Sequence, residues 1–125
     1  MTPTEIIEIV DRITPNAHTT ADKLRWLKQL DTQVETELAF LLWTAPERKN
    51  HALCRSAAEA AETLTVPEPF AEELYVSYLQ ACMAWADEED ARYDRFITRF
   101  NDAYCRFMRL VVQECVQLRK QHLIF

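Results

Sequence analysis

Residues 64–85 read "LTVPEPFAEELYVSYLQACMAW", and the fold turns on how that stretch is divided. Val66 and Glu68 each precede a proline, which steers them out of the helical region, so the clip Val66-Pro67-Glu68-Pro69 is expected to be extended. Pro69 or Phe70 then opens a helix with Glu72 and Glu73 in its first turn. Phe70, Leu74, Tyr78, Cys82 and Trp85 form one apolar line, and Tyr75 and Leu79 form another beside it. So broad a face predicts a central helix touched from two sides. The clip fixes where that helix starts and keeps the polar residues before it out of the core.

Working back toward the N-terminus, "PERKNHALCRSAAEAAETL" from Pro46 onward is rich in alanine but holds few large apolar residues. Alanine favours helix, yet such a helix can anchor little, so residues 46–63 read as a weakly packed helix or a mobile connection. Before them, Leu24, Leu27, Leu30, Val34, Leu38 and Leu41 recur at helical spacing, with Trp26 and Phe40 widening the stripe. That pattern predicts a long helix over residues 20–43, capped by Thr19 or Thr20, with Asp22 in its first turn. Thr2-Pro3-Thr4-Glu5 reads as a capping box. The short helix it opens is expected to bury Ile6, Ile9, Val10 and Ile13 and to end at Thr14-Pro15-Asn16.

Working forward, Asp87-Glu88-Glu89-Asp90 marks a turn and the acidic start of a last helix over residues 88–120. Tyr93, Phe96, Ile97, Phe100, Tyr104, Phe107, Val111, Cys115 and Leu118 make its apolar face; the five aromatics among them read as core. The sum is an all-α chain: a small helical bundle with two long helices, a central helix and a short N-terminal helix. With 125 residues, it reads as a single domain spanning 1–125, with residues 119–125 as a tail.

Composition narrows the function. Glycine is absent, which argues against tight primed hairpins and Gly-rich phosphate loops. Asn16, Asn50 and Asn101 are the residues best suited to left-handed positions. A net charge of −6 argues against sequence-neutral binding to phosphate backbones. No run of 18 apolar residues suits a spanning helix, and no signal-peptide pattern opens the sequence. Cys54, Cys82, Cys105 and Cys115 are therefore expected as reduced thiols in a cytoplasmic setting.

Sites of chemistry are hard to find in these residues. His51 and Cys54 sit three apart and could share a helix face, but a structural zinc needs two more ligands. There is no C-x₂-C pair, and no Glu-x-x-His of the kind that builds di-iron bundles. The alternative is thiols that pack as small hydrophobes. Ser56 and Ser77 lack a strand–turn–helix elbow. Glu88, Glu89 and Asp90 suit a solvated helix start better than an acid–base pair. No catalytic role, cofactor or metal is expected.

Contact surfaces are the better candidates. Arg92, Arg95, Arg99, Arg106 and Arg109 keep to one flank of the last helix. They can pair within the helix, Glu88 with Arg92 and Asp102 with Arg99 or Arg106, at about 0.2–0.5 kcal/mol each. They can also form a seam against acidic residues of a neighbouring subunit, such as Glu59, Glu62, Glu72 or Glu73. The apolar tail Leu123-Ile124-Phe125 either folds back on its own bundle or docks into a partner.

"EIIEIVDRITPNAHTTADKLRWLKQLD" at 5–31, the segment "LTVPEPFAEELYVSYLQA" and "ARYDRFITRFNDAYCRF" at 91–107 together resemble small proteins of tailed-bacteriophage and prophage head-assembly regions, the head–tail connector (adaptor, head-completion) family. The resemblance covers residues 4–43 and 64–107. Its most specific pieces are Arg25-Trp26-Leu27, the clip with Phe70, Tyr75 with Tyr78-Leu79, and Arg92-Tyr93 leading to Phe100-Asn101-Asp102-Ala103-Tyr104. The chain departs from the pattern at Asp87-Glu88, where asparagine-glycine is expected.

The resemblance implies a virion subunit at the head–tail junction, assembled in the host cytoplasm into a homo-oligomeric ring of about twelve copies, closed by cyclic symmetry. Its implied partners are the portal protein above and a tail or stopper protein below. DNA would pass through without being specifically bound, and no membrane is involved. An acidic wall suits such passage, because carboxylates repel phosphates. The clip is then expected to hold residues 46–63 off the bundle, to order on assembly. The alternative is a small cytoplasmic helical protein-binding or regulatory module of prophage origin.

Overall fold

Thr2 caps the first helix of the computed structural model, which describes residues 1–42 and 63–123. Its hydroxyl accepts the Glu5 amide at 3.3 Å, and Pro3 takes the first position of α1 (Pro3–Ile13), where its missing N–H costs nothing. α1 meets two other helices, so its buried arc centres on Ile6, Ile7 and Val10. Ile9 is only half-buried. Ile13, expected inside, is 54% exposed, because it is the last helical residue before the chain turns away. Thr14 ends α1 in an extended conformation, its amide still bonded to Val10 O at 2.8 Å.

Thr19 rather than Thr20 receives the next helix, accepting the Asp22 amide at 3.2 Å. α2 (Thr20–Leu42) buries Lys23, Leu27, Leu30, Asp31 and Val34, a run at i, i+4, i+7, i+8 and i+11. Two of those five positions are charged. Leu24, assigned to the stripe by periodicity, is exposed, and Phe40 is 78% exposed. The segment 46–63, read above as weak helix or connection, lies outside the described residues except for Thr63.

The chain re-enters the bundle firmly. The Leu64 amide donates to Met1 O at 2.8 Å, and Leu64 and Val66 are buried in the core. The clip that follows is not extended throughout: Phe70 N and Ala71 N both donate to Pro67 O at 3.1 Å, closing a turn around the cis Glu68–Pro69 peptide. α3 (Ala71–Ala86) starts from it. Leu74, Tyr75, Val76, Leu79, Ala81, Met83 and Ala84 are buried around most of its circumference, because α1, α2 and α4 all pack against it. Each large side chain so buried contributes about 1.5–3 kcal/mol. The central helix expected from residues 64–85 is the centre of the fold.

At its C-terminus α3 stops without glycine. The Glu88 amide donates to Trp85 O at 3.2 Å and the Glu89 amide to Ala84 O at 2.9 Å, the paired bonds of a Schellman cap. Glu88 takes the left-handed position, φ 58°, which neither Asn16 nor Asn101 does. α4 (Asp90–Leu123) then runs back along α3. Ring pairs hold the two helices antiparallel: Trp85–Tyr93 at 5.4 Å, Tyr78–Phe100 at 5.2 Å and Phe70–Phe107 at 5.7 Å. Phe96, Phe100 and Phe107 are buried and Tyr93 and Tyr104 half-buried, as the aromatic run predicts. Residues 108–123 continue past the last ring pair for about 24 Å at 1.5 Å per residue. The four described helices form an all-α bundle, with no strand among the described residues.

Candidate interaction surfaces

α3 differs between its two ends. Near its N-terminus, beside the clip, the buried Tyr75 hydroxyl donates to Asp31 Oδ1 of α2 at 2.6 Å and accepts the Val66 amide at 3.0 Å. Asp31 also takes the Thr65 amide at 2.9 Å, and the Thr65 hydroxyl lies 2.9 Å from Asp31 Oδ2 and 3.0 Å from Glu35 Oε1. One buried carboxylate thus gathers a loop, a tyrosine and a helix. Buried polar groups are tolerated when satisfied in this way. The clip is therefore fastened to the bundle through Leu64, Thr65 and Val66.

A second polar link ties α1 to α2. Lys23, 3% exposed, ends at Asp11 Oδ1, which Asn16 Nδ2 also meets at 3.1 Å. The hydrogen bond from Lys23 is the main reason the Asp11 carboxyl sits below its ordinary value of 3.8; partial burial opposes it. Asn16 in turn accepts the His18 amide at 3.2 Å, and His18 Nε2 lies 3.1 Å from Asp87 Oδ1. These contacts brace the end of the bundle where α3 turns into α4.

Toward the C-terminal end of α3 an aromatic groove is open. Trp26 of α2, Tyr78, Ala81, Cys82 and Trp85 of α3, and Tyr93 and Ile97 of α4 line a space of about 240 Å³. Trp85 is 70% exposed. Periodicity had placed Trp85 on the apolar line of α3. The line holds to the end of the helix, where four charged residues after Ala86 reverse the chain. Burial pushes the Cys82 thiol up to about 11 and the Tyr78 hydroxyl to about 12. Both are protonated at neutral pH, so the thiol behaves as apolar lining rather than as a nucleophile.

The arginines lie on another flank of α4 from Tyr93 and Ile97, and all five are exposed. Arg92 pairs with Glu89 at 3.0 Å, not with Glu88, and with Arg95 brackets the Phe96 ring at 5.9 and 5.8 Å. Arg106 reaches both Glu73 oxygens at 3.1 Å and Asp102 at 3.4 Å. Glu73, offered above as a neighbour's partner for this stripe, is thus engaged within the same chain. Arg99 and Arg109 remain on the exposed flank. Farther along α4, Leu110, Val112 and Val116 are exposed large aliphatics. α4 continues through Leu123, so residues 119–123 belong to the helix rather than to a separate tail. Ile124 and Phe125, like Cys54 and His51, lie outside the described residues.

Among the described residues no group of three or more His, Cys, Asp or Glu side chains is arranged to hold a metal ion, and no described helix is long and apolar enough to cross a membrane. The chemistry on offer at the described surface is aromatic and aliphatic contact bordered by charge, which is the chemistry of protein association. No protein-family model matches this chain, and comparison with curated proteins and with solved structures returns no match.

Proposed function

We propose that this chain is an assembly subunit that acts through contact between proteins, a head–tail connector of a tailed bacteriophage or prophage that forms a ring below the portal and joins capsid to tail. The observation that carries this reading is the exposed aromatic groove around Trp85, at the C-terminal end of α3. An indole left 70% exposed beside Tyr93 is a residue type that anchors interfaces. Val112 and Val116, one turn apart on the C-terminal half of α4 and both exposed, add a second apolar patch. The sequence resemblance supplies the setting, and the all-α bundle is compatible with it.

The test is electron microscopy of the purified chain and of phage particles that carry it. Rings of the isolated chain, or its density between portal and tail, support the proposal. A chain that stays monomeric or dimeric, is missing from particles, and copurifies with one host protein supports the regulatory-module alternative instead.

A further inference from the structure

We propose that the aromatic groove receives the segment Arg119 to Phe125, the last turn of α4 and the two residues after it in sequence, from a second copy of this chain. The inference rests on the assembly reading above and names one contact within it.

Reach comes first. The groove contains Tyr93 and Ile97, near the start of α4, while Leu123 stands 26 residues beyond Ile97 in the same helix, about 39 Å away at 1.5 Å per residue. Two more residues add at most about 7 Å. No copy can place Ile124 and Phe125 in its own groove while α4 is helical. A second copy can.

Charge points the same way. Arg119 and Lys120 precede Leu123-Ile124-Phe125. The turn joining the two rings of the groove, Trp85 and Tyr93, carries Asp87, Glu88, Glu89 and Asp90, all exposed. Within the chain His18 meets Asp87 and Arg92 meets Glu89, leaving the turn acidic. Basic residues followed by apolar ones thus face an acidic rim followed by an aromatic floor, and a space of about 240 Å³ suits one or two large side chains rather than a whole helix. A contact between opposite ends of identical subunits is heterologous, and such contacts close into rings or run on as filaments.

Two variants test it in the full chain. Ile124→Ser with Phe125→Ser removes the inserting residues but leaves the groove, and Trp85→Glu spoils the groove but leaves the inserting end. Trp85 lies outside the buried core. Sedimentation velocity is expected to show each variant alone as a monomer at concentrations where the wild type associates, and a one-to-one mixture of the two as a heterodimer. Absence of that heterodimer, or wild-type association by either variant alone, overturns the contact, as does a wild type that never associates. Rings that persist in the Ile124→Ser, Phe125→Ser chain would remove this contact while leaving the assembly reading intact.

Discussion

The two ends of α3 use the same kind of residue differently. Tyr75 and Trp85 are both aromatic and lie within one 16-residue helix, yet Tyr75 is fully buried and Trp85 is 70% exposed. Tyr75 has its hydroxyl tied to Asp31 and the Val66 amide, so it holds the chain's re-entry in place. Trp85 packs against Tyr93 at a tilt of 57° and borders an open groove. Buried polar bonds are concentrated where the chain closes on itself, and exposed aromatic surface where α3 ends.

That contrast can be broken most sharply at Asp31. Asp31→Ala takes the acceptor from the Tyr75 hydroxyl and from the Thr65 amide and is expected to cost about 3 kcal/mol, read by urea denaturation, since each lost bond to a buried charged group costs about 1.5–3 kcal/mol. Next is Asp11→Asn, which removes the carboxylate from buried Lys23. The loss is expected at about 1.5 kcal/mol, below the range for a fully buried pair because Asp11 is half-exposed. The same pair sets a pH dependence. The folded-state pKa of Asp11 is depressed below 3.8, so its contribution is fully present above that value and is lost as pH falls through the lower folded-state pKa. Acid titration of stability should show that step in the wild type, and Asp11→Asn should lack it.

The open end should respond differently. Glu88→Gly relieves a left-handed backbone at φ 58° and is expected to raise stability by about 1 kcal/mol, seen as a higher Tm. Trp85→Ala should change stability least, by under about 0.5 kcal/mol, while weakening self-association measured by sedimentation. A large loss of stability from Trp85→Ala would erase the distinction between the two ends of α3.

Much of the fold was legible because helices announce themselves locally. The Thr2 cap, the Thr14-Pro15 stop, the helix over 20–42 and the aromatic run Phe96, Phe100 and Phe107 all follow from spacing and capping within a few residues. The polar knot was not legible, since Asp31 and Tyr75 are 44 residues apart in sequence; Tyr75 reads as part of an apolar line with Leu79, and its hydroxyl names no partner. Lys23 and Asp11 were missed for the same reason. The groove was hidden differently: periodicity tells which face of α3 is apolar but not where its neighbours stop, so Trp85 read as core. Its only local signal is position, one residue before the end of the helix. The left-handed Glu88 had a signal only in the glycine that the resemblance expects at that position; the residue itself gives none, because the cap is made by backbone amides that any residue can supply.

Hydrogen exchange of the wild-type chain, compared at dilute and associating concentrations, tests the division of labour directly. The account predicts added protection on association around the exposed turn and the start of α4, Glu88 to Tyr93, with no change at Thr65, Val66 and Tyr75. New protection confined to the clip, or none near Trp85 while the chain sediments as an oligomer, would contradict it.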